Sequence, residues 1–129
     1  MATYVNDLRL KEIATGDEAG TWGTSTNTNL ELIGEAMGVG AEAVANASTH
    51  TITMADGATD QFRSTFLRLT GGGQACTVTL APNTLSHTWI MRNETAAALT
   101  LTQGSGANVI IAAGQTKIVA TDGGGSGAI

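Results

Sequence analysis

Cysteine, proline, aromatic residues and positive charge are all scarce in this 129-residue chain. The single cysteine, Cys76, excludes an internal disulfide and any zinc site built from several thiolates. Pro82 is the only proline, and there are two Trp, one Tyr and two Phe, so a core must come mainly from Ala, Val, Leu and Ile. Six basic residues stand against eleven acidic ones. That balance argues against a nucleic-acid partner, whose binding rests on neutralising phosphates. No apolar run reaches the length of a membrane-spanning helix, so no membrane insertion is expected. The N-terminal MATYVNDLRLKE lacks the basic-then-apolar order of a secretory leader.

What is abundant is glycine, 17 residues, and threonine, 21 residues. Turn-forming glycine with β-branched threonine favours a β protein rich in turns. The expected fold is mainly β: a small antiparallel β-sandwich or barrel, preceded by an extended arm and one short helix. Charge is unevenly divided. Residues 1–49 carry seven acids and two bases, whereas residues 50–129 carry four of each. The whole net charge of −5 therefore sits in the first third, which suggests two regions with different tasks.

Residues 1–27 show no long periodicity and read as an extended arm. Leu8, Leu10 and Ile13 are its apolar points, and Trp22 stands between Thr21 and Gly23 in a polar, flexible stretch. An indole in that setting either packs on its own domain or anchors the chain in a partner. Residues 28–45 form the helix candidate. Thr28 and Glu31 have the spacing of a capping box. Leu30, Ile33, Met37 and Val44 fall on one helical stripe. Gly34, Gly38 and Gly40 weaken such a helix, so its stripe must be covered, either by the chain's own β region or by a sister chain.

Residues 46–121 alternate as short strands parted by turns every 10–14 residues. Leu67 and Leu69 share one face, as do Cys76, Val78 and Leu80, then Trp89 and Met91, then Leu99 and Leu101. Val109-Ile110-Ile111 reads as a strand buried on both sides. Residues 122–129 have the composition of a glycine-rich linker or the start of a further region.

No catalytic constellation emerges, and the chain is not expected to be an enzyme. His50 and His87 are the only histidines, and His87 lies on a strand beside Trp89. Asp56 and Asp60 bracket a turn, where aspartate side chains bond to backbone without any metal. Gly38-Val39-Gly40-Ala41-Glu42-Ala43 has dinucleotide-loop spacing but lacks the strand-loop-helix setting that chemistry requires. No catalytic residue, cofactor or metal is assigned.

Two stretches carry a resemblance. Leu10-Lys11-Glu12-Ile13-Ala14-Thr15-Gly16 and Thr21-Trp22-Gly23-Thr24-Ser25-Thr26-Asn27-Thr28-Asn29-Leu30-Glu31 resemble the N-terminal segment of tail-fibre and related virion appendage proteins of tailed bacteriophages. Phe66-Leu67-Arg68-Leu69, Asn83-Thr84, Trp89-Ile90-Met91-Arg92-Asn93, Gln103-Gly104-Ser105-Gly106 and Asp122-Gly123-Gly124-Gly125 are similar to small β modules of those proteins. The resemblance implies a structural protein located in the virion, as a tail appendage that supports host attachment. It also implies a homotrimer whose N-terminal arm docks on a tail adaptor or nozzle protein. On that reading Leu8, Leu10, Ile13 and Trp22 are the docking interface. Leu30, Ile33 and Met37 are the trimer seam. A capsid decoration or head-fibre protein is the alternative, followed by a carbohydrate-binding module. The latter would need a displayed aromatic face, and the β region offers only Trp89.

Overall fold

A computed structural model describes residues 3–16 and 18–124. The chain begins with a small hairpin, β1 (Thr3–Val5) and β2 (Leu10–Glu12). Then follow a helix, α1 (Trp22–Ala36), and eight strands: β3 (Val39–Val44), β4 (Thr49–Thr53), β5 (Phe66–Gly71), β6 (Cys76–Ala81), β7 (Ser86–Asn93), β8 (Leu99–Thr102), β9 (Val109–Ile111) and β10 (Thr116–Asp122). One 3₁₀ turn, Gln61–Arg63, precedes β5.

The fold is mainly β, as the composition suggests, but the pairing differs from the antiparallel expectation. From β3 to β8 consecutive strands alternate between two four-stranded sheets, ordered β10-β7-β5-β3 and β4-β6-β8-β9. The pairs β3–β5, β5–β7, β4–β6 and β6–β8 are parallel. Only the last two strands reverse, β9 against β8 and β10 against β7. Both sheets are mixed and neither closes on itself. The physical reason is that a glycine turn fixes where the chain bends. It does not fix whether the next strand returns beside the last one or crosses to a second sheet. Here the chain crosses at each turn from β3 to β8, so strands of one sheet meet again a full circuit later and run parallel, and only the β8–β9 connection stays within one sheet.

The faces read from alternation are the faces that are buried. Leu67, Leu69, Trp89, Met91 and Val119 of one sheet join Ile52, Cys76, Val78, Leu80, Leu99, Leu101 and Ile111 of the other in a single apolar cluster. Each such aliphatic side chain contributes about 1.5–3 kcal/mol by leaving water. Phe62 closes one part of the cluster. Its ring stacks on Trp89 at 4.9 Å, and its carbonyl accepts a 2.7 Å bond from the Trp89 indole N–H. Fully buried Asn93 organises the turn after β7: its amide donates to Ala97 O and Ile111 O, and its Oδ1 accepts from the Thr95 amide and hydroxyl.

The helix occupies different residues from those the stripe indicates. It starts at Trp22, not Thr28, and ends at Ala36. Thr28 therefore lies inside the helix and forms no N-cap. Thr21 precedes the first turn without a side-chain cap. Residues 23–29 are poor helix formers, and tertiary hydrogen bonds hold them. The Asn29 side chain donates to Lys11 O at 2.9 Å and accepts from Lys11 N at 3.0 Å, while Ser25 donates to Glu18 at 2.8 Å. Beyond Met37 the chain turns into β3. Val44, counted with the helical stripe in sequence, is a core residue of that strand. The six-residue pairing of β3 with β5, from Val39↔Phe66 to Val44↔Gly71, outweighs the weak β preference of Gly and Ala.

Two more expectations are corrected. Ile110 is 57% exposed, so β9 is buried on one side only. The described residues of the segment 1–27 are not an extended arm, because the hairpin folds back onto the β region and α1 already begins at Trp22. Gly57 N donates to Arg9 O, Arg9 pairs with Asp56 at 2.7 Å, and Asp7 accepts from Ser86 N. The linker region begins inside β10, which ends at Asp122, and residues 125–129 lie outside the described residues.

Candidate functional interface

Buried side chains of α1 lie on one narrow arc: Ser25, Leu32 and Ala36 face the chain. A second arc faces solvent. At about 100° per residue, Trp22, Leu30, Ile33 and Met37 fall within roughly 80° of one another. Trp22 is 61% exposed, Leu30 62%, Ile33 38% and Met37 80%. The only charged residues of the helix, Glu31 and Glu35, project from the side away from this arc. Thr26 completes the face, and Gly23 and Gly34 on its flank leave open space where a Cβ would stand. The helix thus carries one apolar face against its own chain and a second with no cover from it.

Trp22 and the three stripe residues therefore form a single surface, whereas the sequence assigns Trp22 to an arm and the others to a seam. Leu8, Leu10 and Ile13 are placed elsewhere. All three are half-buried, Leu8 and Leu10 in the folded-back hairpin and Ile13 just after it, and Leu10 pairs with Val5. The structure does not bring them together with Trp22 as one exposed edge.

A buried arginine holds this N-terminal unit to the β region. Arg63 has no solvent exposure. Its guanidinium donates to Leu8 O in the hairpin turn, to Ala55 O and Ala58 O in the loop after β4, and to Glu35 of α1 at 3.4 Å. Asp60 supports the same loop, accepting from Phe62 N through one carboxylate oxygen and from Ala55 N through the other. Glu35 also accepts from Asp60 N at 2.8 Å. Sequence reading missed Arg63. A lone basic residue before an apolar strand carries no signal of burial, and its four partners are backbone carbonyls and a carboxylate gathered from three segments.

Between hairpin and helix lies a cleft of about 130 Å³ lined by Tyr4, Lys11, Thr24, Ser25, Thr28, Asn29 and Gly57. This is well below the ~300 Å³ of an ordinary ligand pocket. At its side Lys11 donates to both Glu18 and Ser25. The bonds from Lys11 and then Ser25 hold the Glu18 carboxyl below its usual range. Ser25 in turn donates to Glu18, so the trio is a polar latch joining the hairpin, the turn after it and α1. His87 rests against Trp89 at 4.5 Å, and burial lowers its pKa. Cys76 is buried in the core, and desolvation raises its thiol pKa, the opposite of a reactive thiolate. Among the described residues no three His, Cys, Asp or Glu side chains gather as metal ligands.

The best-supported site is therefore a surface. Comparison of the chain with protein-family models, with curated proteins and with solved structures finds no match.

Proposed function

We propose that this chain is a structural protein of a tailed-bacteriophage virion: a tail fibre, or the tail-anchoring N-terminal part of one, that assembles as a homotrimer and supports host adsorption. The reading carries no enzymatic activity. The resemblance of residues 10–31 and 66–125 supplies the setting. The observation that carries the reading is the uncovered, uncharged α1 face of Trp22, Leu30, Ile33 and Met37. Clustered exposed apolar residues of this kind mark interaction surfaces. The rest of the molecule suits passive support: two sheets share one core in a sandwich-like arrangement, with threonine on the outer faces of β4 and β6.

The proposed seam places the α1 faces against sister chains, with Trp22 at the end nearest the tail. Light scattering after size exclusion tests assembly: a trimer at micromolar concentration is expected, and a clean monomer overturns it. Labelling of this chain on intact particles tests location. Signal at the tail supports the appendage, and signal confined to the head overturns it in favour of a capsid decoration protein.

A further inference from the structure

Two dipeptides of the same chemistry sit in opposite settings in this fold. Asp56-Gly57 and Asp122-Gly123 are the only Asp-Gly pairs of the chain, and it has no Asn-Gly pair. An aspartyl side chain can close on the peptide nitrogen of a following glycine, because no Cβ shields that nitrogen. In a folded chain closure needs two things: a free nitrogen, and a carboxyl able to reach it.

At Asp56 neither condition holds. Gly57 N donates to Arg9 O at 2.8 Å, and the Asp56 carboxylate is drawn to the Arg9 guanidinium at 2.7 Å. One hairpin residue thus occupies nucleophile and electrophile together. At Asp122 both conditions hold. This residue is the exposed last position of β10, opposite Ser86. Among the described residues no backbone acceptor takes the Gly123 N–H and no cation pairs with the Asp122 carboxylate. Asp122 Oδ1 instead accepts from Gly124 N at 2.9 Å, which folds the carboxyl back over the Gly123 peptide. No side chain can shield this nitrogen. Gly123 has φ +71°, and a Cβ there would lie 2.7 Å from Thr84 O. The fold demands glycine where glycine leaves the nitrogen open.

We infer that Asp122-Gly123 is a site of spontaneous backbone isomerisation, from which the N-terminal hairpin protects Asp56-Gly57. Gly123 N attacks Cγ of the Asp122 carboxyl. The N–Cγ bond forms, a C–O bond breaks, and the hydroxyl leaves with the amide proton as water. A second water opens the five-membered succinimide. Attack at Cγ restores aspartate. Attack at the main-chain carbonyl leaves the backbone running through Cβ, which is isoaspartate. One water is lost and one regained, and nothing is oxidised or reduced. The product carries one more backbone carbon where the chain leaves the β10–β7 pairing. The inference is independent of the virion reading.

Oxygen-18 water tests it on the full folded chain. The protein is held for weeks at neutral pH in labelled water, then digested in ordinary water and its peptides are sequenced by mass spectrometry. Each passage through the ring fixes one oxygen-18. Label is expected to build up at Asp122 at least about tenfold faster than at Asp56, the rate change that one hydrogen bond and one ion pair together produce. In urea the two pairs should label equally, since their local chemistry is the same. Asp122→Glu, verified as folded by circular dichroism, should lose the label, because closure would need a six-membered ring. Arg9→Ala frees the Asp56 carboxylate and should raise labelling there roughly threefold, with Asp122 unchanged. Equal rates in the folded chain, faster labelling at Asp56, or no label at Asp122 overturns the inference. So does label that persists in Asp122→Glu, or a difference that survives in urea. An Asp56 rate unmoved by Arg9→Ala overturns the protection assigned to the hairpin.

Discussion

The guanidinium of Arg63 lies 3.4 Å from the carboxylate of Glu35, and this ion pair ties the helix to the loop beneath it. Arg63 is wholly buried and Glu35 largely so, with side-chain exposures of 0% and 19%. Because the same guanidinium also binds Leu8 O, Ala55 O and Ala58 O, one side chain fixes hairpin, loop and helix at once. The orientation of the exposed α1 face depends on it.

Arg63→Ala is expected to destabilise the fold by about 3–5 kcal/mol, because it strands a carboxylate and several buried carbonyls. Arg63→Lys should recover little of the loss, since an ammonium cannot reproduce the planar fork. Urea unfolding monitored by tryptophan fluorescence measures both. A loss below 1 kcal/mol for Arg63→Ala contradicts the role given to it.

Trp22→Ala behaves in the opposite way. With the indole 61% exposed, the isolated chain should keep its stability within about 0.5 kcal/mol. Incorporation of the chain into particles should fall. Particle occupancy equal to wild type would show that the exposed indole has no docking role.

Gly57→Ala probes the folded-back hairpin. Gly57 has φ +63°, and a Cβ there would collide with the Tyr4 ring. Strain and collision together should cost about 1–3 kcal/mol and displace the hairpin. Tryptic cleavage at Arg9 and Lys11 should then be faster than in wild type. Equal cleavage rates would show that the hairpin is not held by this contact.

His87 predicts a pH dependence. Burial lowers its pKa in the folded chain, against weaker opposing influence from Asp7. A backbone hydrogen bond at Arg63 also opposes the shift, but burial outweighs both, so the fold favours the neutral ring. The unfolded chain then binds the proton more readily. Stability from the neutral ring is complete above the unfolded value near 6.5, and is lost as pH falls from there towards the lower folded value. Between pH 7 and pH 5 the urea midpoint of wild type should drop more than that of His87→Gln. Parallel profiles would remove His87 as the cause.

Much of this molecule is legible in the order of its residues. The alternation of Leu67 and Leu69, of Cys76, Val78 and Leu80, and of Trp89 and Met91 names the inner faces correctly, because a strand's side chains alternate whatever sheet it joins. The stripe of Leu30, Ile33 and Met37 is legible for the same local reason. Three things depended on the tertiary structure. Strand direction did, because a turn does not reveal which sheet the next strand enters. The helix boundary did, because Asn29 and Ser25 draw their partners from Lys11 and Glu18 and not from their own turn. So did the row Val39–Phe66–Ile90–Ile118, whose members are 24 to 28 residues apart in sequence and become one surface only through the register of four strands. Local geometry acts within a few residues and is written in the chain. Register and direction arise from long-range pairing, which no single segment encodes.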